Sequence, residues 1–162
     1  MRDIVLIAEN IRSIHNVGSL LRTAEGLGCK KVYLTGYTPY PKQINDSRLP
    51  HLADKISRQI SKTALGAESI AEYFEDIVIL IGQLKKTGYK ILSLEQTKGS
   101  LDITSYKPSQ KCALIVGNEV DGVSDKTIKK SDIWLEIPMF GKKESFNVVQ
   151  ATAMALFYLR FN

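Results

Sequence analysis

Two stretches in the last third of the chain carry residues able to meet a small ligand. Gly117 and Gly122 bracket Asn118, Glu119, Val120 and Asp121, directly after the apolar run from Cys112 to Val116. Glycine lets backbone approach a ligand closely, and Glu119 stands at a strand end. Such a loop suits a neutral or cationic ligand better than a triphosphate, and a sulfonium fits its charge. The plain alternative is a turn with an exposed glutamate. The second stretch runs from Phe140 to Asn147 and includes Lys142, Lys143, Ser145 and Phe146, after the short apolar segment from Trp134 to Met139. Two strand ends with polar loops beside a helix start are how an open α/β sheet builds a ligand crevice.

Far upstream, Arg22 lies off the apolar stripe of a helix that Asn16 opens. A guanidinium is a planar fork of donors suited to phosphate. The plain alternative is a surface arginine and an asparagine cap. Familiar nucleotide motifs fail. No Gly-x-Gly-x-x-Gly follows the first strand, and Val123 stands where a phosphate-binding loop between Gly117 and Ser124 needs lysine. No Gly-x-Ser-x-Gly elbow supports a serine hydrolase.

The elements that must position these residues alternate between strand and helix. Ile4 to Ile7 reads as a strand buried on both faces. A helix over 17–27 follows, with Val17, Leu20, Leu21, Ala24 and Leu27 on one stripe and Gly28 at its end. Lys31 to Thr35 is a second strand. From Gly36 to Lys62 the pattern weakens into a basic segment with a short helix, either a solvated loop or a surface for an anionic substrate. A helix is expected over 70–87, perturbed near Glu75 and Asp76. Strands are expected at 90–95, 112–116 and 133–137, with Ser124 capping a short helix between the last two. The final helix, 147–159, is apolar nearly all round, which places it in the core or against a second subunit.

At 162 residues the chain reads as one domain, 44% hydrophobic and 24% charged. No apolar run reaches the roughly 20 residues of a membrane span. Cys29 and Cys112 in apolar surroundings suit a reducing cytoplasm, and two Cys with two scattered His make no metal cluster. The net charge of +5 permits a polyanionic partner without requiring one.

Taken together, three segments resemble the motifs of the SpoU/TrmH class of RNA ribose 2′-O-methyltransferases, in the same order. They are Asn16 to Ala24, Leu114 to Ser124, and Ile137 to Gly141 with Ser145 to Val148. The resemblance implies a SPOUT-type α/β fold, a mostly parallel sheet flanked by helices with a C-terminal trefoil knot, spanning 1–162 without a separate RNA-binding domain. It implies a homodimer using S-adenosyl-L-methionine to methylate RNA, with tRNA favoured over rRNA. By the same resemblance Arg22, Asn16, Glu119, Ser145 and Asn147 form the catalytic set. Gly117, Ile137 and Phe146 match the main cofactor positions, with Leu94, Glu95, Met139 and Val148 as further candidates. Lys42, Arg48, Lys55, Arg58, Lys142 and Lys143, together with Arg22, are the expected RNA contacts. The sequence departs from the family pattern at Phe146 and Val149, where leucine and serine are common. A catalytically silent RNA-binding dimer is the alternative, against which the intact catalytic set argues.

Overall fold

The computed structural model describes residues 1–162. Seven parallel strands form one sheet: β1 (Asp3–Glu9), β2 (Lys31–Thr35), β3 (Ala71–Phe74), β4 (Lys90–Leu94), β5 (Leu101–Asp102), β6 (Lys111–Val116) and β7 (Ile133–Glu136). Their order is β3-β2-β1-β6-β4-β7-β5, so β1 and β6 lie near the centre. That place suits their unbroken apolar runs, because a parallel sheet in an α/β protein is covered on both faces.

Alternate residues of each strand serve opposite faces. Ile4, Leu6, Ala8, Leu114 and Val116 join one core with helices α1 (Ile14–Gly26), α2 (Pro50–Ala64) and α5 (Val148–Phe161). Val5, Ile7, Ala113 and Ile115 join the other with α3 (Ile77–Lys86), and the short α4 (Asp125–Ile128) follows the loop after β6. Cys29 and Cys112 are buried free thiols. Burial pushes Cys29 up to about 12 and raises Cys112 as well, so neither is poised as a nucleophile. No helix is long and apolar enough to cross a membrane.

Several boundaries differ from expectation. Helix α1 starts at Ile14, and Ser13 is its cap, its side chain accepting from the Asn16 N–H at 3.2 Å. Asn16 therefore does not open the helix; it sits inside the first turn with its side chain free for another task. The segment from Gly36 to Lys62 holds most of a 15-residue helix that runs on to Ala64, not a short one. Its inward stripe, Ala53, the partly buried Ile56, Ile60 and Ala64, does repeat at helical spacing, but polar and basic residues around it keep the overall hydropathy low. Small residues carry little hydropathy signal but let helices approach. The expected helix over 70–87 is divided. Ala71–Phe74 pairs with β2 as the edge strand, and Asp76 caps α3 by accepting from the N–H groups of Val78 and Ile79. Strand β5 is only Leu101–Asp102, too short to leave a pattern.

Two contacts fix α1 relative to its neighbours. Arg160, in the last turn of α5, donates to the carbonyls of Leu27 and Gly28 at 2.9 and 2.8 Å, satisfying groups at the C-terminal end of α1. At the other end, Gly18 lies against α2. A Cβ there would stand 1.9 Å from Thr63 Oγ1 and 2.6 Å from the Ile60 carbonyl oxygen. Thr63 itself donates to the His15 carbonyl at 3.2 Å. The glycine of the first motif is thus a packing requirement.

Residues 95–100 join β4 directly to β5, yet β7 pairs with both and lies between them. Leu135 faces Leu94 on one side and Leu101 on the other. Helix α5 buries Thr152, Ala155, Leu156 and Leu159 and leaves Met154, Phe157 and Phe161 exposed. The nearly all-round apolar sequence therefore divides into a core face and an uncovered face.

Gly18→Ala should lower stability by roughly 1–3 kcal/mol through overpacking of α1 against α2. Denaturant unfolding of the two proteins measures it, and an unchanged midpoint would show that α2 yields freely.

Candidate functional site

The C-terminal ends of β6, β4 and β7 open into a cavity of about 400 Å³. Val116, Leu94, Leu135, Ile137, Phe146 and Val148 supply apolar wall, and Gly117, Asn118 and Gly122 supply backbone. Four glutamates also line it: Glu95, Glu119, Glu136 and Glu144. No lysine or arginine does. A cavity of this size accepts a drug-sized ligand, and its charge favours a cation.

The loop after β6 is pinched shut. Asn118 and Gly122 exchange backbone hydrogen bonds of 3.0 and 2.9 Å, and the Asn118 side chain accepts from the N–H groups of Val120 and Asp121. A Cβ on Gly117 would lie 2.2 Å from the Gly122 carbonyl carbon. Gly122 has φ +70°, and a Cβ there would lie 2.1 Å from Glu95 Oε2. That carboxylate instead accepts from the Val123 N–H at 2.7 Å, tying the end of β4 to the loop. Glu95 thus shapes the cavity while lining it.

Glu119 points the other way, onto the start of α1. Its carboxylate accepts from the N–H groups of Arg12 and Ser13 at 3.0 and 3.1 Å and from Asn16 Nδ2 at 2.9 Å. A carboxylate at a helix N-terminus meets unsatisfied donors and a favourable dipole. Partial burial pushes the Glu119 carboxyl up. The bonds from the Arg12 N–H, the Asn16 amide and the Ser13 N–H outweigh this and hold it below the usual glutamate value. Asn16 and Glu119, more than a hundred positions apart, form one cluster at the cavity rim.

The remaining expected residues divide. Ser145, Asn147 and Met139 line the cavity, and Asn147 also caps α5 by accepting from the Val149 N–H at 2.9 Å. Lys142 and Lys143 are exposed beside Glu144. Lys55 and Arg58 are exposed on α2, and Lys42 pairs with Asp54 at 2.9 Å. Arg48 differs most from expectation. Its guanidinium is held by Asp46, by the Tyr40 carbonyl at 3.0 Å, and over the Tyr40 ring at 3.5 Å. Its side chain is 18% exposed, so it stabilises its own loop and offers little to a phosphate. Arg22 is exposed on α1, without a hydrogen bond or ion pair in the chain. It lies six residues beyond Asn16, about 9 Å along the helix axis, and does not line the cavity.

Three residues escape a reading of the sequence. Glu9 is 2% exposed and accepts from the Ser124 N–H and hydroxyl at 3.1 and 2.6 Å and from the Thr127 hydroxyl at 2.9 Å. The Ser124 hydroxyl is thereby spent on Glu9 and does not cap the short helix. Asn10 has φ +56° and passes its carbonyl to Asn118 Nδ2 at 3.1 Å. Tyr37 also accepts from Asn118 Nδ2. The only sequence signal for Glu9 was a carboxylate ending an apolar strand.

Residues 3–157 match the SpoU rRNA Methylase family, and the chain belongs to it. Among characterised relatives, it is 26% identical over 156 residues to a tRNA (guanosine(18)-2′-O)-methyltransferase of Aquifex aeolicus (strain VF5), covering 96% of this chain and 68% of that protein. It is 28% identical over 157 residues to a 23S rRNA (guanosine(2553)-2′-O)-methyltransferase of Bacillus subtilis (strain 168), covering 96% and 57%. The crystal structure of the A. aeolicus TrmH/SpoU tRNA modifying enzyme superposes with a TM-score of 0.80 at 23% identity, over 99% of this chain and 75% of that one. An AdoMet-bound rRNA methyltransferase from Sinorhizobium meliloti gives 0.79 at 21% identity, over 98% and 56%. The expected parallel sheet flanked by helices is thus the observed fold.

The Glu119 tie carries a pH dependence of definite sign. A carboxyl held below its unfolded value stabilises the fold above about pH 4.3. That contribution is lost as pH falls through the lowered folded value. In Glu119→Gln this part of the acid limb should disappear. Unfolding midpoints followed from neutral pH down through the acid limb measure it, and identical limbs in the two proteins would remove the tie.

Proposed function

We propose that the chain is an S-adenosyl-L-methionine-dependent RNA ribose 2′-O-methyltransferase. The observation that carries this reading is the cavity itself: four glutamates, no basic residue, and apolar and backbone walls at the positions the motifs predict. A sulfonium with an apolar ring system fits that lining, and a nucleoside triphosphate does not. Gly117, Ile137, Phe146 and Val148 would hold the cofactor, with Leu94, Glu95 and Met139 at its borders. Bound there, it supplies an electrophilic methyl carbon.

What the chain must do is bring a weak nucleophile, a ribose hydroxyl, into line and stabilise its developing charge. Asn16 and Glu119 form a fixed polar rim for this, and Ser145 and Asn147 add polar groups to the lining. Arg22 acts as a cation on the adjacent phosphate and the developing alkoxide, a role that needs a permanent charge and not a proton acceptor.

Arg22 lies outside the cavity of its own chain, and this supports a homodimer in which the site is completed across the interface. Met154, Phe157 and Phe161 fall at helical spacing on the uncovered face of α5, 40%, 57% and 66% exposed. A contiguous apolar face of this kind marks an interaction surface. The exposed lysines and Arg58 suit an RNA partner. Transfer RNA stands ahead of ribosomal RNA in this reading, supported by the tRNA-modifying relative of which the chain covers 68%. The threaded C-terminal knot expected from the motifs belongs to the same reading. It is supported by the placement of β7 between two strands already joined in the chain.

Arg22→Ala should reduce methyl transfer to RNA at least about 100-fold, the scale on which a lost charge-stabilising donor acts. S-adenosylhomocysteine affinity should be retained. Near-normal turnover by Arg22→Lys would show that a positive charge suffices without the planar fork of donors, and absence of S-adenosylhomocysteine binding in calorimetry would favour a silent RNA-binding dimer. Mapping 2′-O-methyl sites in total RNA with and without the protein identifies the substrate.

Phe157→Glu should convert a two-chain species to single chains in sedimentation equilibrium and lower turnover with it. Full activity in a single-chain species would place Arg22 in its own chain's site.

A further inference from the structure

Tyr37 is a large aromatic side chain fixed at both ends yet left 60% exposed. It follows β2 in a turn through Gly36, whose φ is +64°. The backbone beneath it is held on both sides. The Tyr37 N–H donates to Asn10 Oδ1 at 3.3 Å. The buried Thr38 hydroxyl accepts from the Ile11 N–H at 3.0 Å and donates to the Ala8 carbonyl at 3.1 Å. At the far end of the side chain, the phenol oxygen accepts from Asn118 Nδ2. Asn118 is 6% exposed and is the residue that closes the loop carrying Glu119.

The ring therefore crosses from the end of β2 to the loop after β6, over the end of β1. Its hydroxyl is satisfied by protein, and the residue is nevertheless left 60% exposed. Arg12 comes to the same place from the loop after β1. Its backbone N–H donates to Glu119 Oε2, while its side chain is exposed without a partner. Three loops at the C-terminal edge of the sheet thus bring a tethered aromatic ring onto Asn118 and the backbone of Arg12, whose guanidinium is unpaired, onto the adjoining Glu119.

We propose that Tyr37 is a base-stacking platform for an unpaired nucleotide of the RNA substrate, beside the residue to be methylated, with Arg12 on its phosphate. Every base has a π-face, and an aromatic ring in single-stranded recognition reads that face rather than sequence. Rigidity makes the platform effective. Two side-chain torsions are already lost in the folded protein, so little further ordering cost falls on binding. The ring carries no charge, so its contribution does not depend on salt. That of Arg12 does, through counterion release.

This inference rests on the RNA reading above, and the two can fail separately. The test uses the full chain and its Tyr37→Ala, Tyr37→Phe and Arg12→Ala variants. Binding of a short fluorescein-labelled single-stranded RNA of mixed sequence is measured across a salt series. Methyl transfer to total RNA and S-adenosylhomocysteine affinity are measured alongside. Tyr37→Ala should weaken RNA binding about tenfold at every salt concentration, with the slope unchanged, and should raise KM for RNA more than it lowers kcat. Tyr37→Phe, which keeps the ring, should lose at most about threefold. Arg12→Ala should flatten the salt slope by about 0.7, the value of one single-strand phosphate contact. S-adenosylhomocysteine affinity should hold in all three. Tyr37→Ala binding RNA like the parent overturns the proposal, as does Tyr37→Phe failing as badly as Tyr37→Ala. Loss of S-adenosylhomocysteine affinity in Tyr37→Ala also overturns it, because the ring would then only brace the loop. A parent protein that binds no RNA removes both readings, whereas a parent that binds with an indifferent Tyr37→Ala removes this one alone.

Discussion

The carboxylate of Glu119 on the first turn of α1 is the interaction on which the site depends. Three donors from one short stretch, the N–H groups of Arg12 and Ser13 and the Asn16 amide, converge on it. The first helix and the loop after β6 have few other polar links. Without the carboxylate, the start of α1 would face water with unsatisfied N–H groups and Asn16 would have no fixed orientation. The bond also explains why a glutamate belongs in a loop that otherwise needs only glycine and asparagine. It adds a side-chain tie, beyond the β1–β6 pairing, between the loop that walls the cavity and the helix that carries Arg22.

Charge is distributed to match. Inside the cavity, glutamates alone provide formal charge, although the whole chain carries +5. Basic side chains are placed outside it, on α2 and on the loop before α5. Opposite fields a short distance apart allow one site to receive a cationic small molecule and a polyanion together without either displacing the other. Glu9 contributes in a different way. Buried, and accepting three hydrogen bonds from Ser124 and Thr127, it anchors the exit of the same loop to the central strand. A buried carboxylate with fewer partners would be costly.

The central strands and most of the cavity wall were legible in the sequence, because apolar runs ending at Gly117 and near Ile137 leave a strong signal. Asn16 and Glu119 were legible as a pair only through the motifs. Their contact joins residues that no local pattern relates. Helix α2 was masked by the prolines and basic residues around it although Ala53, Ile60 and Ala64 fall at helical spacing, and β3 because four half-buried residues on a sheet edge need no alternation. Arg48 could not be told from its basic neighbours by type. What separates it is Asp46 two residues away and Tyr40 beneath its guanidinium, both tertiary facts. Tyr37 had no signature at all: its importance comes from an amide eighty-one positions later.

The place of β7 has a consequence for how the cavity behaves over time. It is the last of the seven strands in sequence order, yet it occupies an interior position between β4 and β5. A terminal strand at a sheet edge can peel away alone. This one cannot, because both flanks are hydrogen-bonded and the neighbours are tethered to each other through residues 95–100. The wall formed by Leu135 and Ile137 therefore shares the lifetime of the whole sheet. The exposed stretch from Glu144 to Asn147 also lines the cavity but belongs to no strand or helix, so that constraint does not extend to it.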